Sequence, residues 1–382
     1  MSAVRDFRDS SSNRKDKRGR EGIAMRRLGI TGCMVAILVG LGAGAPGQAL
    51  YYSGKTIDIV IPTIAGTGPD ILARAIEPYL QKHIRGNPLV RIRNMPGGGG
   101  ILGVNWYEAN ARPDGLVLLV GSPGSMYAQL VQHPAVRYDF RKYRLIAAAG
   151  GGVVVYVAPG LNIRRPVDFV KATGLVGGST SLPGFTMLPL LAFEVLGANV
   201  RIVFGFDGTA AHRLAFERGE LTVDYQSTIT YKSQVIHLVQ AGRAVPVFTM
   251  GYVDPQGRFL RDPALKELPT VREVYEAAYG SKPDGLLKWK AFMGALIAQQ
   301  FSRSLWVKGE VPADALAELR QAVVRMSQDP AFLASAGPVL EGYPLVVGTE
   351  ELERRIFRSL APTLDVVRFI REMFRTKYGQ TL

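Results

Sequence analysis

The apolar and polar positions of this chain alternate between two kinds of segment. Ile57 to Ile61 is a run rich in β-branched residues that stops at Pro62. The stretch Ala65-Gly66-Thr67-Gly68-Pro69-Asp70 breaks it, and apolar residues then recur at helical spacing from Ile71 to Leu80. Gly86-Asn87-Pro88 ends that helix, Leu89 to Arg93 reads as a second strand, and Pro96 to Gly100 as a second glycine loop. A short helix carrying Trp106 and Tyr107 follows, then a Pro113-Asp114-Gly115 turn, then a wholly apolar strand, Leu116 to Val120, that ends in Gly121-Ser122. Strand, helix, strand, helix, strand with apolar strands predicts a parallel sheet covered on both faces.

The pattern returns further on. Val153–Val157, Val200–Phe204 and Leu221–Tyr225 read as strands, and Leu188–Leu196 and Ala210–Arg218 as helices. Gly177-Gly178-Ser179-Thr180-Ser181 reads as another small-residue loop, and Ala313–Met326, Thr349–Leu360 and Thr363–Phe374 as helices of a mostly helical C-terminal portion. Two α/β units in series, with small-residue loops at strand ends, predict two lobes facing a cleft. We place lobe 1 at 50–152, lobe 2 at 153–243, and a return to lobe 1 with C-terminal helices at 244–382. Such lobes are expected to close by hinge motion at crossovers near Gly150–Gly152 and Gly242–Val247.

The chain has 382 residues, enough for about two ordinary domains. Its net charge is +14. Residues 1–49 hold nine Lys/Arg against four Asp/Glu, and the rest holds 37 against 28. That remainder favours anionic partners, but no basic run interleaved with aromatics appears in it, which argues against nucleic acid. Within 1–49, the segment 25–49 has a basic start at Met25-Arg26-Arg27, an apolar stretch from Leu28 to Leu41 and a small-x-Ala end at Gly47-Gln48-Ala49. This is the layout of a secretory signal peptide, with Met25 as an alternative start, and it predicts export to the periplasm. The apolar stretch is shorter than the roughly 20 residues that span a bilayer. Cys33 is the sole cysteine, so cleavage after Ala49 leaves a mature chain without any.

Glycine loops between a strand and a helix N-terminus suit an anion. The first amides of a helix lack internal partners, the helix dipole adds about half a positive charge there, and glycine lets a ligand approach the backbone. Other chemistries find no support. Gly98-x-Gly100-x-x-Gly103 follows a strand, but no acidic residue ends the next strand to hold a ribose. The four histidines lack metal-ligand spacing, no nucleophile set can be assembled, and no cofactor is expected. His212 reads as a surface residue, Asp70 and Asp207 as helix caps, and Arg91 and Arg93 as residues either solvated or packed at the sheet edge.

The runs IDIVIPTIAGTGPDILAR, NMPGGGGILG and PDGLVLLVGS resemble the N-terminal signature of the receptors of tripartite tricarboxylate transporters, the Bug family. LPTVREVYEA, VPADALAELRQAV and DPAFLASAG resemble later family motifs. The resemblance implies a two-lobed type II periplasmic-binding fold with a ligand cleft between the lobes. It also implies main-chain amides on a carboxylate at Ala65, Gly66, Thr67 and Gly68 with Asp70, and at Gly97, Gly98, Gly99 and Gly100. Ser122, Ser179, Thr180 and the turn Asp207, Gly208, Thr209 match further ligand-facing positions. The expected protein is a monomeric, non-enzymatic receptor that passes a small organic carboxylate to membrane permease subunits. A periplasmic sensor for a signalling protein is the alternative, and a secreted enzyme using the same cleft a more distant one.

Overall fold

The computed structural model describes residues 50–382, Pro255 excepted, so the signal-peptide segment 25–49 and Cys33 lie outside the described residues. The chain begins with β1 (Thr56–Ile61), β2 (Leu89–Asn94), β3 (Val117–Val120) and β4 (Tyr143–Ala149). It crosses at Gly150–Gly152 into β5 (Val153–Val157), β6 (Val176–Ser179), β7 (Arg201–Phe204), β8 (Val223–Ser227) and β9 (Val245–Thr249). A small hairpin, β10 (Tyr252–Val253) and β11 (Phe259–Leu260), precedes two helices, Val271–Tyr279 and Leu287–Gln300. Then β12 (Ser304–Lys308) and β13 (Leu345–Val347) return to the first sheet.

The first sheet has the order β13-β4-β12-β3-β1-β2 and the second β7-β6-β8-β5-β9. Leaving aside β13, both follow one plan: second, first and third strands of the lobe, then a strand that has just crossed over, then the fourth. β1, β2 and β3 are parallel, as are β6, β7 and β8, but β12 and β5 each run antiparallel to both neighbours. The expectation of purely parallel sheets is therefore corrected. A strand arriving from the other lobe enters from the carboxyl edge, where the connections between lobes lie, and so runs the opposite way.

Three further expectations change. Gly177 and Gly178 lie inside strand β6, not in a loop. A Cβ on Gly178 would stand 2.4 Å from the His212 Cβ and 2.9 Å from Leu221, so glycine there lets the helix Thr209–Glu217 lie close on the sheet. His212 is not on the surface. It is fully buried, with Nδ1 2.5 Å from Asp224, whose other oxygen accepts the Tyr156 hydroxyl. The second sheet also runs through β9 to Thr249, past the boundary drawn at 243, so the segment 242–247 expected as a crossover leads into a sheet strand instead.

The helix Leu287–Gln300 is apolar on nearly all sides and buries Trp289, Phe292 and Leu296. It packs on Met187–Leu196 beside the second sheet and on Pro123–Leu130 beside the first. One continuous apolar core accordingly includes Leu119 and Trp306 of the first sheet and Val155 and Tyr225 of the second. Lobes sharing such a core have less freedom than lobes joined by strands alone.

Candidate functional site

β1 to β4 point their carboxyl ends at one edge of the first sheet, and in open α/β sheets that edge is where ligands bind. The loop after β1 reaches the helix Gly68–His83, with Thr67 as its extended N-cap. Asp70, 2% exposed, sits in the first turn and accepts the Gly66 amide at 2.8 Å, the Asn94 side-chain amide at 2.9 Å and the Arg74 guanidinium at 3.0 Å. Burial alone would raise its carboxyl, but the hydrogen bonds from Arg74, Gly66 and Asn94 outweigh it and hold the group below its ordinary value. Asp70 thus braces the loop from inside. The amides of Thr67, Gly68 and Asp70 have no hydrogen-bond partner among the described residues.

The second loop bends through four consecutive glycines with positive φ: 135° at Gly97, 56° at Gly98, 66° at Gly99 and 100° at Gly100. Side chains are disfavoured in this conformation, and the loop closes on itself where the Gly100 amide donates to the Gly97 carbonyl at 2.9 Å. Gly98 and Gly99 are exposed, while Gly100 is buried against Ser122. Ser122 is fully buried and caps the helix Pro123–Leu130, its Oγ accepting the Ser125 amide at 3.3 Å. Its hydroxyl supports the loop through this cap.

In the second lobe, Ser179 is buried at the end of β6, with Oγ donating to the Thr186 hydroxyl at 2.9 Å. Its carbonyl accepts the Phe206 amide at 3.2 Å, which ties β6 to the turn containing Asp207, Gly208 and Thr209. Thr180 is half-buried and Asp207 exposed. The lobes meet where a Cβ on Gly99 would stand 2.7 Å from the Pro183 carbonyl. The structure thus gathers Gly66, Thr67, Gly68 and Asp70 into one braced loop and sets Gly97–Gly100 on Ser122. It joins Ser179 to the Asp207 turn, and it brings Gly99 against the second lobe. A separate surface concavity of about 950 Å³, lined by Glu194, Leu287, Arg371 and Glu372 among others, includes none of these residues. Among the described residues no group of three or more His, Cys, Asp or Glu side chains is placed to hold a metal, and no helix is long and apolar enough to cross a membrane.

Sequence reasoning missed Arg303. It is 6% exposed, directly precedes β12, and its carbonyl accepts the Ala149 amide at 2.8 Å. Ser304 in turn bonds to Gly121 after β3. Register therefore sets Arg303 on the same carboxyl edge as the two glycine loops. A lone Arg between an apolar helix and a strand gives no periodic signal by which to find it.

The strand order and the carboxyl-edge loops make this the fold of the type II periplasmic binding proteins. Among solved structures the chain is similar to MatC from Rhodopseudomonas palustris with bound malate, with a TM-score of 0.57 and 20% identity, covering 82% of this chain and 99% of that one. A second protein of R. palustris, solved with adipate, gives 0.59 at 18% identity, covering 83% and 97%. The periplasmic binding protein BugD gives 0.56 at 17%, covering 87% and 100%. Likeness at these identities establishes the fold. In sequence, 179 residues are 31% identical to the protein BugT of Bordetella pertussis, covering 47% of this chain and 51% of BugT. The chain thus spans about half the length of the curated relative it matches, and no family model matches it. The Bug-family resemblance read from the sequence is borne out by this relative and by the shared fold.

Proposed function

We propose that this chain is an extracytoplasmic solute receptor that captures a small organic carboxylate at the carboxyl edge of its first sheet and delivers it to permease subunits of a tripartite tricarboxylate-type transporter. One observation carries the reading. Unpartnered amides at the head of the helix Gly68–His83 stand on the same sheet edge as a loop of four left-handed glycines. Both are cradles for an anion that needs no basic residue within the loop. The malate and adipate of the structural neighbours support the ligand class, and the signal-peptide layout of 25–49 supports export to the periplasm. Nothing in the cleft-edge residues requires catalysis, and a receptor with no cofactor accounts for them all.

The test is calorimetry and thermal shift of the purified protein against di- and tricarboxylates, aromatic acids and amino acids. A cognate carboxylate at 100 times its Kd is expected to add about 2.7 kcal/mol of stability. Absence of binding by every carboxylate in the panel would overturn the receptor reading.

A further inference from the structure

Two side chains of opposite charge lie buried in the first lobe, side by side and unjoined. Arg303 is 6% exposed, and its guanidinium makes one hydrogen bond, from Nη2 to the Val339 carbonyl at 2.6 Å. Its Nε is buried without a partner among the described residues, and so is Oε1 of Glu341, two residues beyond Val339. Burial presses the guanidinium below its ordinary value and the carboxyl above its own, and each is pulled back in part by the charge of the other. Among the described residues no ion pair joins them. A buried guanidinium and a buried carboxylate ordinarily do pair, because an uncompensated interior charge is costly and the planar fork matches a carboxylate through two parallel bonds.

What keeps them apart is the second lobe. Thr228, which opens the helix Thr228–Gln234 after β8, donates to Glu341 Oε2 at 3.0 Å. Its hydroxyl also lies 3.5 Å from that of Tyr343, and its amide bonds to the Gly152 carbonyl at 3.1 Å. The crossover is packed into the same spot. A Cβ on Gly151 would stand 3.2 Å from the Arg303 Cδ, and one on Gly152 would overlap Asp262 and the Tyr343 hydroxyl. Rotation of the lobes about the crossover must therefore disturb this cluster. Glu341 itself has left-handed backbone, φ 54°, and Gly342 after it has φ 88°. Side chains are disfavoured in that region, so the contacts of Glu341 hold its turn in place.

We propose that Glu341 is a two-position latch on the lobes: it holds Thr228 in the arrangement seen here, with Gly99 against Pro183, and turns to Arg303 when the lobes part. Both partners of the open position belong to the first lobe, so the pair forms without help from the second. The inference rests on the carboxylate-receptor reading and deepens it by naming the contact that regulates the cleft: a solute that closes the lobes does so against the Glu341–Arg303 pair.

Two substitutions should move the equilibrium in opposite directions. Thr228→Val keeps the shape of the side chain and removes the closed-position bond, whereas Arg303→Met removes the open-position bond. Small-angle scattering without solute is expected to give the largest radius of gyration for Thr228→Val, an intermediate one for the wild type and the smallest for Arg303→Met. For each carboxylate of the calorimetric panel that the wild type binds, Thr228→Val should weaken affinity about threefold or more and Arg303→Met should tighten it by a similar factor. Shifts of both variants in one direction, or in neither, overturn the latch, because Thr228, Glu341 and Arg303 would then only support the junction. Failure of every carboxylate to bind would sink the receptor reading alone, since the order of the solute-free radii decides the latch without it.

Discussion

At the scale of single residues, function depends on backbone more than on side chains in the glycine loops. Gly98 has φ 56°, with Ile101 and Leu102 near 3.7 and 3.8 Å from a built Cβ, so a larger residue fits the space but not the dihedral. A β-branched side chain there costs roughly 1–2 kcal/mol in backbone strain and blocks approach to the loop amides. Gly98→Val is expected to weaken carboxylate binding at least tenfold while the fold is kept, as read by calorimetry and circular dichroism. Arg91 offers the contrast. From the edge strand β2 it pairs at 2.8 Å with the half-buried Asp58 of β1, its own side chain largely exposed, and such pairs contribute little. Arg91→Ala should leave affinity within about twofold, about 0.4 kcal/mol. If Arg91→Ala abolishes binding while Gly98→Val binds normally, a side-chain salt bridge and not an amide clamp holds the ligand.

At the scale of elements, the second sheet shows how packing can give a glycine its meaning. Gly178 in β6 faces His212, Leu221 and Phe206 at 2.4, 2.9 and 3.0 Å from the place of a Cβ, and the nearest of these atoms, the His212 Cβ, is fixed directly to the helix backbone. Gly178→Ala must push the helix Thr209–Glu217 off the sheet, and overpacking of this kind costs about 1–3 kcal/mol. Urea denaturation should show that loss, and a neutral result would mean that the helix rests more loosely on β6 than these distances imply. The sequence spells Gly177-Gly178-Ser179-Thr180-Ser181 as a loop because small residues carry weak strand propensity. The strand forms anyway, since β7 and β8 supply hydrogen-bonding partners on both sides.

At the scale of the whole molecule, a buried polar cluster lies where the lobes join. Tyr343 donates to Asp262 at 2.5 Å, and Thr228 of the second lobe donates to Glu341 of the first at 3.0 Å. One oxygen of each carboxyl is left buried without a partner among the described residues. Burial pushes Asp262 up from 3.8 to about 6 and Glu341 up from 4.5 to about 7. The sign follows from proton binding. Between about pH 4 and pH 7 the folded chain holds protons that the unfolded chain has already released, so stability is greatest below the unfolded values and falls as pH rises through the folded ones. Glu341→Gln removes one such group and keeps an acceptor for Thr228. Its Tm should therefore drop less between pH 5 and pH 8 than that of the wild type, by roughly 2–4 °C for each kcal/mol involved. Equal drops in the two proteins would show that Glu341 is ionised throughout. The cluster and the shared helix Leu287–Gln300 tie the lobes together more firmly than two crossing strands would.

The sequence by itself determined the alternation of strands and helices, the two glycine loops and their family resemblance, because these are local matters of periodicity, turn chemistry and spacing. β1, β2, β5 and β7, and the helices 68–83, 313–327, 350–359 and 364–378, all fall where apolar spacing puts them. It did not reveal β4, β9 or β12, whose pairing depends on partners as distant as Leu305 and Val120, 185 residues apart. Nor did it place His212, whose burial is decided by a helix lying on a glycine strand, or Arg303, which reaches the ligand edge only because β12 runs backwards between β3 and β4. Local pattern fixes an element and the face it buries, whereas the side chains that meet across a cleft are chosen by the order and direction in which the strands assemble.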